Sequence, residues 1–558
     1  MSSVMIILLG IIGMLFGWFV YSKFIAEKIF QLDPDFVTPA HQFNDGVDFV
    51  PTNKYVLWGH HFTSVAGAAP IVGPAIAVYW GWVPAVLWVV FGTIFFAGVH
   101  DSGALWASSR HKGKSIGALS EAVIGKRTRA LFMIVIFLVL LMVNSVFGVV
   151  IANAFVNTPT AVFPAWSAIV VALIIGQLVY RKFSLMMLSI AGVAALYFSV
   201  YVGSVLPLEL PTILELTPSA SWILILFAYA AIASMLPVWM LLQPRDFING
   251  LQLFVGLILL YGAVFLFSPE ITAPAFNSAA NLDAPSIIPL LFVTIACGAI
   301  SGFHGIVSSG TSSKQLDKEP DARFVGYLGA IGEGSLALIT IITVSSVAYA
   351  ASTDAWHDAY HEFGSAGAGA FIQGGANLIS EGWGMSVEFA STLLATMVVL
   401  FAGTTMDSGV RLQRYIIQEW GEIYAVPWLK KGVIATLLAV AACLLLAFGA
   451  GGSSGSGGLI IWPLFGSTNQ ILAGMTLLVI SIMLIKLGRP ARYTLIPMLF
   501  VLTMSFLAGG VTLFKFIEQG NYLLVAIDIV VLVTSLLVML EAASVVSKLR
   551  RGQKTAGK

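Results

Sequence analysis

The sequence predicts an all-α polytopic membrane protein that crosses the bilayer about fifteen times. Three observations carry that prediction. Of the 558 residues 58% are hydrophobic and only 10% are charged, whereas soluble domains carry about 25% charge. Apolar runs of roughly 20 residues, the length needed to cross a hydrocarbon core of about 30 Å, recur along the chain. Finally, with the N-terminus placed outside, every one of the 28 Lys and Arg residues except Lys515 falls on the inner side, as the positive-inside rule requires.

The composition also excludes whole classes. A net charge of +1 gives no basis for a nucleic-acid partner. Cys297 and Cys443 both sit in apolar runs, so there is no disulfide framework and no paired-cysteine metal motif. The first apolar run lacks a basic leader and a small-residue cleavage site, and reads as a retained helix.

In chain order the spans are predicted over about 4–22, 56–80, 83–109, 129–156, 163–180, 184–206, 219–242, 250–268, 285–310, 324–351, 385–410, 432–449, 459–485, 493–516 and 522–547. The basic residues cluster after odd-numbered spans, as at Arg110–Lys114, Lys314–Arg323 and Lys486–Arg492. The intervening loops Asn157–Trp166, Leu206–Ser219 and Thr353–Gly384 carry no Lys or Arg. The glycine-rich run Phe371–Gly384 reads as a short re-entrant or interfacial helix.

Span 2, VLWGHHFTSVAGAAPIVGPAIAVYW, is long enough to cross yet is interrupted by Gly67, Pro70, Gly73 and Pro74. A helix broken at membrane depth is tolerated only where it is buried in protein or lines a cavity. Span 7 carries a second interruption at Ser234, Met235, Leu236 and Pro237 and runs in the opposite direction. Two five-helix units of opposite orientation are therefore expected, over 56–206 and 207–425. Residues 1–55 supply an N-terminal helix and inner loop, and residues 426–558 accessory helices. This is the LeuT-like 5+5 arrangement of secondary transporters.

Ionisable residues inside this frame are candidates for function, because charge at membrane depth is costly. Span 3 contains His100 and Asp101, span 9 contains His304, and span 2 opens with His60 and His61. Asp101 and His304 lie roughly 13 Å from the inner boundary at 1.5 Å per residue. His61, Asp101 and His304 are thus expected at one level, with Glu333 of span 10 a further candidate. Such a set can carry a proton or ligate a divalent metal through His60, His61, Asp101 and His304. It can also fix helix packing as an interhelical polar cluster. Asp407 and Arg411 read as an i,i+4 ion pair.

Other motifs lead nowhere. His357 and His361 mimic a zinc-protease helix, but Asp replaces the required Glu and no third ligand is near. Ala450–Gly458 resembles a phosphate loop without its lysine and reads as a connector. No nucleophile or cofactor loop points to an enzyme. A membrane-embedded metal enzyme or sensor built on the histidines is the rival class.

Several strings closely resemble the carbon starvation protein A (CstA) family. They are NKYVLWGHHFTSVAGAAPIVGP (Asn53–Pro74), QPRDFING (Gln243–Gly250), TIACGAISGFHGIVSSGTSSKQLD (Thr294–Asp317), MDSGVRLQR (Met406–Arg414) and WPLFGSTNQ (Trp462–Gln470). The resemblance implies a bacterial inner-membrane carrier of the wider LeuT-like superfamily, associated with peptide uptake and proton-coupled pyruvate uptake. Alternating access is then expected around spans 2 and 7. Backbone at Gly67, Ala68, Ala69, Pro70, Gly73, Ser234, Met235 and Leu236 is expected to hold a carboxylate-bearing substrate, with Thr63 and Ser301 as side-chain contacts. His61, Asp101, His304 and Glu333 are expected to serve the coupling proton, and Glu333 is also the candidate partner for a peptide ammonium. Sodium coupling would instead use Ser308, Ser309 or carbonyls near Ala66.

Overall fold

A computed structural model describes residues 2–46, 48–210, 216–237, 240–277, 285–452 and 457–556. Helices dominate, and the only β-pairing among the described residues is three isolated bridges. Among the described residues thirteen helices are long and apolar enough to cross a membrane: Ser3–Phe30, Trp82–Ser109, Lys126–Asn157, Pro159–Tyr180, Met187–Val205, Pro218–Met235, Leu242–Phe267, Arg323–Ser345, Val387–Ile423, Gly432–Gly451, Trp462–Lys486, Arg492–Glu518 and Tyr522–Lys548. These are spans 1, 3–8 and 10–15. Span 2 is a bent pair, Lys54–Val65 (2a) and Ala69–Trp80 (2b), meeting at 51°. Span 9 is also two pieces, Ile287–Thr294 (9a) and Gly302–Gly310 (9b), separated by seven non-helical residues. The chain is a multi-pass membrane protein.

The helix starts follow ordinary capping chemistry. Asn53 accepts from the Tyr55 amide at the start of 2a, and Thr217 accepts from Ala220 at the start of span 7. Pro70 stands in the first turn of 2b, where its missing N–H costs nothing. Where a short re-entrant or interfacial helix is expected over Phe371–Gly384, a helix forms over Ala368–Trp383. Of the connector Ala450–Gly458, residues 453–456 lie outside the described residues.

Span 7 corrects the sequence reading. It is one uninterrupted helix, and Ser234–Leu236 mark its end rather than a mid-membrane break. Arg411 closes that end by donating to the carbonyls of Ala233 and Leu236. The arginine is therefore not the partner of Asp407, which binds Arg245 and Tyr229 instead. The second broken helix is span 9.

Burial locates the centre. Span 13 is 94% buried, against 33% for spans 1 and 15, so the outer spans present apolar faces to lipid and span 13 is the axis. Spans 4 and 11 pack along each other, and spans 3, 10 and 13 enclose the two broken helices. Where 2b meets 9a, a side chain at Gly73 would strike the Thr294 carbonyl. Where 9b meets span 13, one at Gly302 would strike the backbone of Asn469. Small residues let backbones approach where lipid gives no hydrophobic drive for association.

Candidate functional site

Half-helix ends of spans 2 and 9 come together, with Gly73 of 2b against Thr294 of 9a. In span 2 the interruption is three residues, Ala66–Ala68, and 2b begins without a side-chain cap. Gly67 is packed on Thr405 and Phe147. In span 9 the chain leaves 9a at Thr294 and enters 9b after Ser301, passing through Gly298 at φ +93°, a left-handed conformation that favours glycine. Gly298 lies against Pro70, so the span 9 interruption touches the first turn of 2b.

The longer break is tied down by side chains from spans 3 and 13. Trp88 donates to the carbonyls of Phe292 and Ile295, both at 3.2 Å, and Thr93 donates to Gly298 at 3.1 Å. Gln470 donates to the Phe292 carbonyl at 2.6 Å, and Trp462 to Thr294 at 3.4 Å. Asn469 spans the far end: its Nδ2 donates to Ser301 Oγ at 3.1 Å while its Oδ1 accepts from the Phe303 amide at 2.9 Å. These carbonyls and the Phe303 amide are thus satisfied inside the protein, as a broken membrane helix demands.

Beside the breaks runs a buried polar chain. His100 Nδ1 lies 2.7 Å from Asp101 Oδ1, and His304 Nδ1 lies 2.9 Å from Asp101 Oδ2. The other nitrogen of His304 is 3.3 Å from Glu333 Oε2. All four side chains are almost fully buried. The His304 ring therefore faces a carboxylate on either side, and a proton on it can be passed in either direction.

A cavity of about 510 Å³ opens from the basic face toward the breaks. Its walls include His60 and Ser64 of 2a, Phe303 and Val307 of 9b, and Thr404, Thr405 and Ser408 of span 11. Asp246 and Gln243, at the start of span 8, also line it.

The predicted site residues divide accordingly. Asp101, His304 and Glu333 meet. His61 makes no hydrogen bond to them but lies within electrostatic range of Asp101 and His304, with its Nδ1 2.9 Å from Ser312 Oγ, and His60 turns to the cavity. Adjacent residues on a helix point about 100° apart, which separates the two histidines. Among the described residues no three His, Cys, Asp or Glu side chains converge as metal ligands, so His60, His61, Asp101 and His304 do not form a metal-ligand set. Gly67, Ala68, Ala69, Pro70 and Gly73 lie at or just beyond the span 2 break, and Ser301 lies at the span 9 break. Thr63 turns its hydroxyl to the Gly59 carbonyl and packs on Gly250. Ser234, Met235 and Leu236 lie at the end of span 7, away from both breaks. Ser309 binds its own helix at Gly305.

Sequence reasoning passed over Trp88, Thr93, Asp246, Asn469 and Gln470. The last two belong to WPLFGSTNQ, a string too polar for a lipid-facing helix, and that polarity was the available signal.

The family model described as carbon starvation protein CstA matches residues 2–359 and 354–508. This chain belongs to the CstA family. A peptide transporter CstA from Campylobacter jejuni is 32% identical, the match covering 93% of this chain and 81% of that protein. The pyruvate/proton symporter BtsT of Escherichia coli is 30% identical, over 92% of this chain and 82% of its own. The fold of this CstA-family chain is also that of a solved Eremococcus coleocola manganese transporter mutant. That match has a TM-score of 0.50 at 12% identity, covering 91% of this chain and 99% of the other. The architecture is LeuT-like.

Proposed function

We propose that this protein is a secondary active importer of small carboxylate-bearing nutrients, peptides or pyruvate, working by proton-coupled symport and alternating access. The observation that carries the reading is the meeting of two broken helices beside a cavity lined by Ser64 of 2a, Phe303 of 9b and Thr405, the residue against which Gly67 packs. Half-helices 2b and 9b both begin there, and a helix N-terminus carries about +0.5 charge that favours an anion. The names of the relatives support peptide and pyruvate alike.

In this reading Ala66–Ala69 and Ser301–Phe303 hold the substrate, and His100, Asp101, His304 and Glu333 carry the proton. The inverted repeats are drawn differently from the sequence reading. Spans 2, 3, 4, 7 and 8 form the first unit and spans 9–13 the second, with spans 5 and 6 an inserted hairpin. Span 2 enters from the basic face and span 9 from the opposite one, so each unit opens with a broken helix. The protein resides in the bacterial inner membrane, with its N-terminus outside and its basic face and C-terminus in the cytoplasm.

Uptake into proteoliposomes tests this. Labelled pyruvate and labelled dialanine are each offered with an inward proton gradient, an inward sodium gradient or neither. Accumulation of at least one solute under the proton gradient alone supports the proposal. No movement of either under any condition refutes it.

A further inference from the structure

We propose that Asp246 is the receptor for the cationic end of a zwitterionic substrate, an α-ammonium such as a short peptide's N-terminus. It thereby sets the cavity's preference for peptides over simple monocarboxylates. The inference rests on the carrier reading above and names its substrate class.

Asp246 lines the cavity, is only 7% exposed, and its Oδ1 has no hydrogen-bond partner among the described residues. An ionised carboxylate buried without a partner is costly, so a cation supplied from outside would be strongly favoured there. The cations that line the cavity make their contacts elsewhere. Arg129 is held by Glu121 and Glu419, and Lys314 lies 3.6 Å from Asp48. Arg411 donates to the carbonyls that end span 7. Arg245, the immediate neighbour, exerts a Coulombic pull on Asp246 but makes its hydrogen bonds in a different pocket, to Asp407 and Tyr229.

The alternative acid does not suit the role. Glu333 is 1% exposed, faces His304, and is not part of the cavity wall. The cavity itself, at about 510 Å³, falls within the range of roughly 300–1,000 Å³ typical of small-molecule sites. A three-carbon acid needs far less room. A short peptide can place its ammonium on Asp246 and extend along the same cavity toward Phe303, in the first turn of 9b.

The test is binding to the purified full-length protein, using dialanine, N-acetyl-dialanine and pyruvate as probes. Acetylation removes the ammonium and keeps the carboxylate. Wild type is expected to bind dialanine more than about tenfold more tightly than its acetylated form, since losing a buried charge partner costs at least that much. In Asp246→Asn the two peptides should bind equally, at the wild-type affinity for the acetylated form, and Asp246→Glu should restore part of the difference. Equal binding of the two peptides by wild type, a comparison that needs no variant, would overturn the inference. So would an equal loss of both peptides in Asp246→Asn, or binding of pyruvate without dialanine. Those results leave the carrier reading standing. If none of the probes binds wild type and none is taken up into proteoliposomes, the carrier reading falls as well.

Discussion

The two broken spans solve the same problem in different ways. Span 2 opens for three residues, and among the described residues no side chain hydrogen-bonds to the backbone of Ala66, Gly67 or Ala68. It is held by contact, through Gly67 on Thr405 and Pro70 on Gly298. Span 9 opens for seven residues, and Trp88, Thr93, Trp462, Asn469 and Gln470 bind its freed groups. One break is packed and the other is tethered. A contact can slide, whereas a set of directed hydrogen bonds must be exchanged as a unit, so movement during transport is easier for span 2 against a span 9 fixed to the axis of the molecule.

The largest effect is expected where the two breaks meet. Gly73→Val sets a side chain against the Thr294 carbonyl, which is backbone and cannot rotate away, and should cost about 3 kcal/mol or more. Loss of the monodisperse detergent-solubilised protein, or a large fall in its thermal midpoint, checks this. Gly67→Ala meets only the rotatable hydroxyl of Thr405 and the Phe147 ring, and should stay within about 1 kcal/mol of wild type. Equal damage from the two would erase the distinction between packed and tethered breaks.

Asn469→Leu comes next. It leaves the Phe303 amide and Ser301 without their partner, at a cost of about 1–3 kcal/mol, and should lower uptake where Gly67→Ala does not. Thermal unfolding and uptake on the same preparations decide it.

Asp101→Asn should spare stability more but remove the response to a proton gradient, because Asp101 is the hydrogen-bonded link between His100 and His304. Gradient-driven uptake should fall to that of empty liposomes while gradient-independent exchange continues. Persistent proton-driven accumulation in this variant would falsify the assigned route. The smallest effect belongs to span 2 again. His61→Gln gives up a single hydrogen bond to Ser312, worth about 0.5–1.5 kcal/mol, and should keep its gradient response.

What sequence determined was everything that depends on local chemistry. Apolar runs set the spans, basic residues gave a consistent inner face, and the Gly and Pro residues after Val65 marked one true break. Asp101, His304 and Glu333 stood out because charge inside an apolar helix is conspicuous wherever it is later packed. Pro237 misled because a proline ends a helix as readily as it breaks one, and here it follows the end of span 7. The break in span 9 contains no proline, and residues 295–301 read as an ordinary apolar stretch with one glycine. That stretch unwinds where Trp88, Thr93, Asn469 and Gln470 supply its backbone partners, and all of these contacts link residues more than 150 positions apart. The same holds for the uncommitted state of Asp246 and for the parting of His60 from His61. Each is decided by which distant groups arrive to satisfy a buried polar atom, and only tertiary structure brings them together.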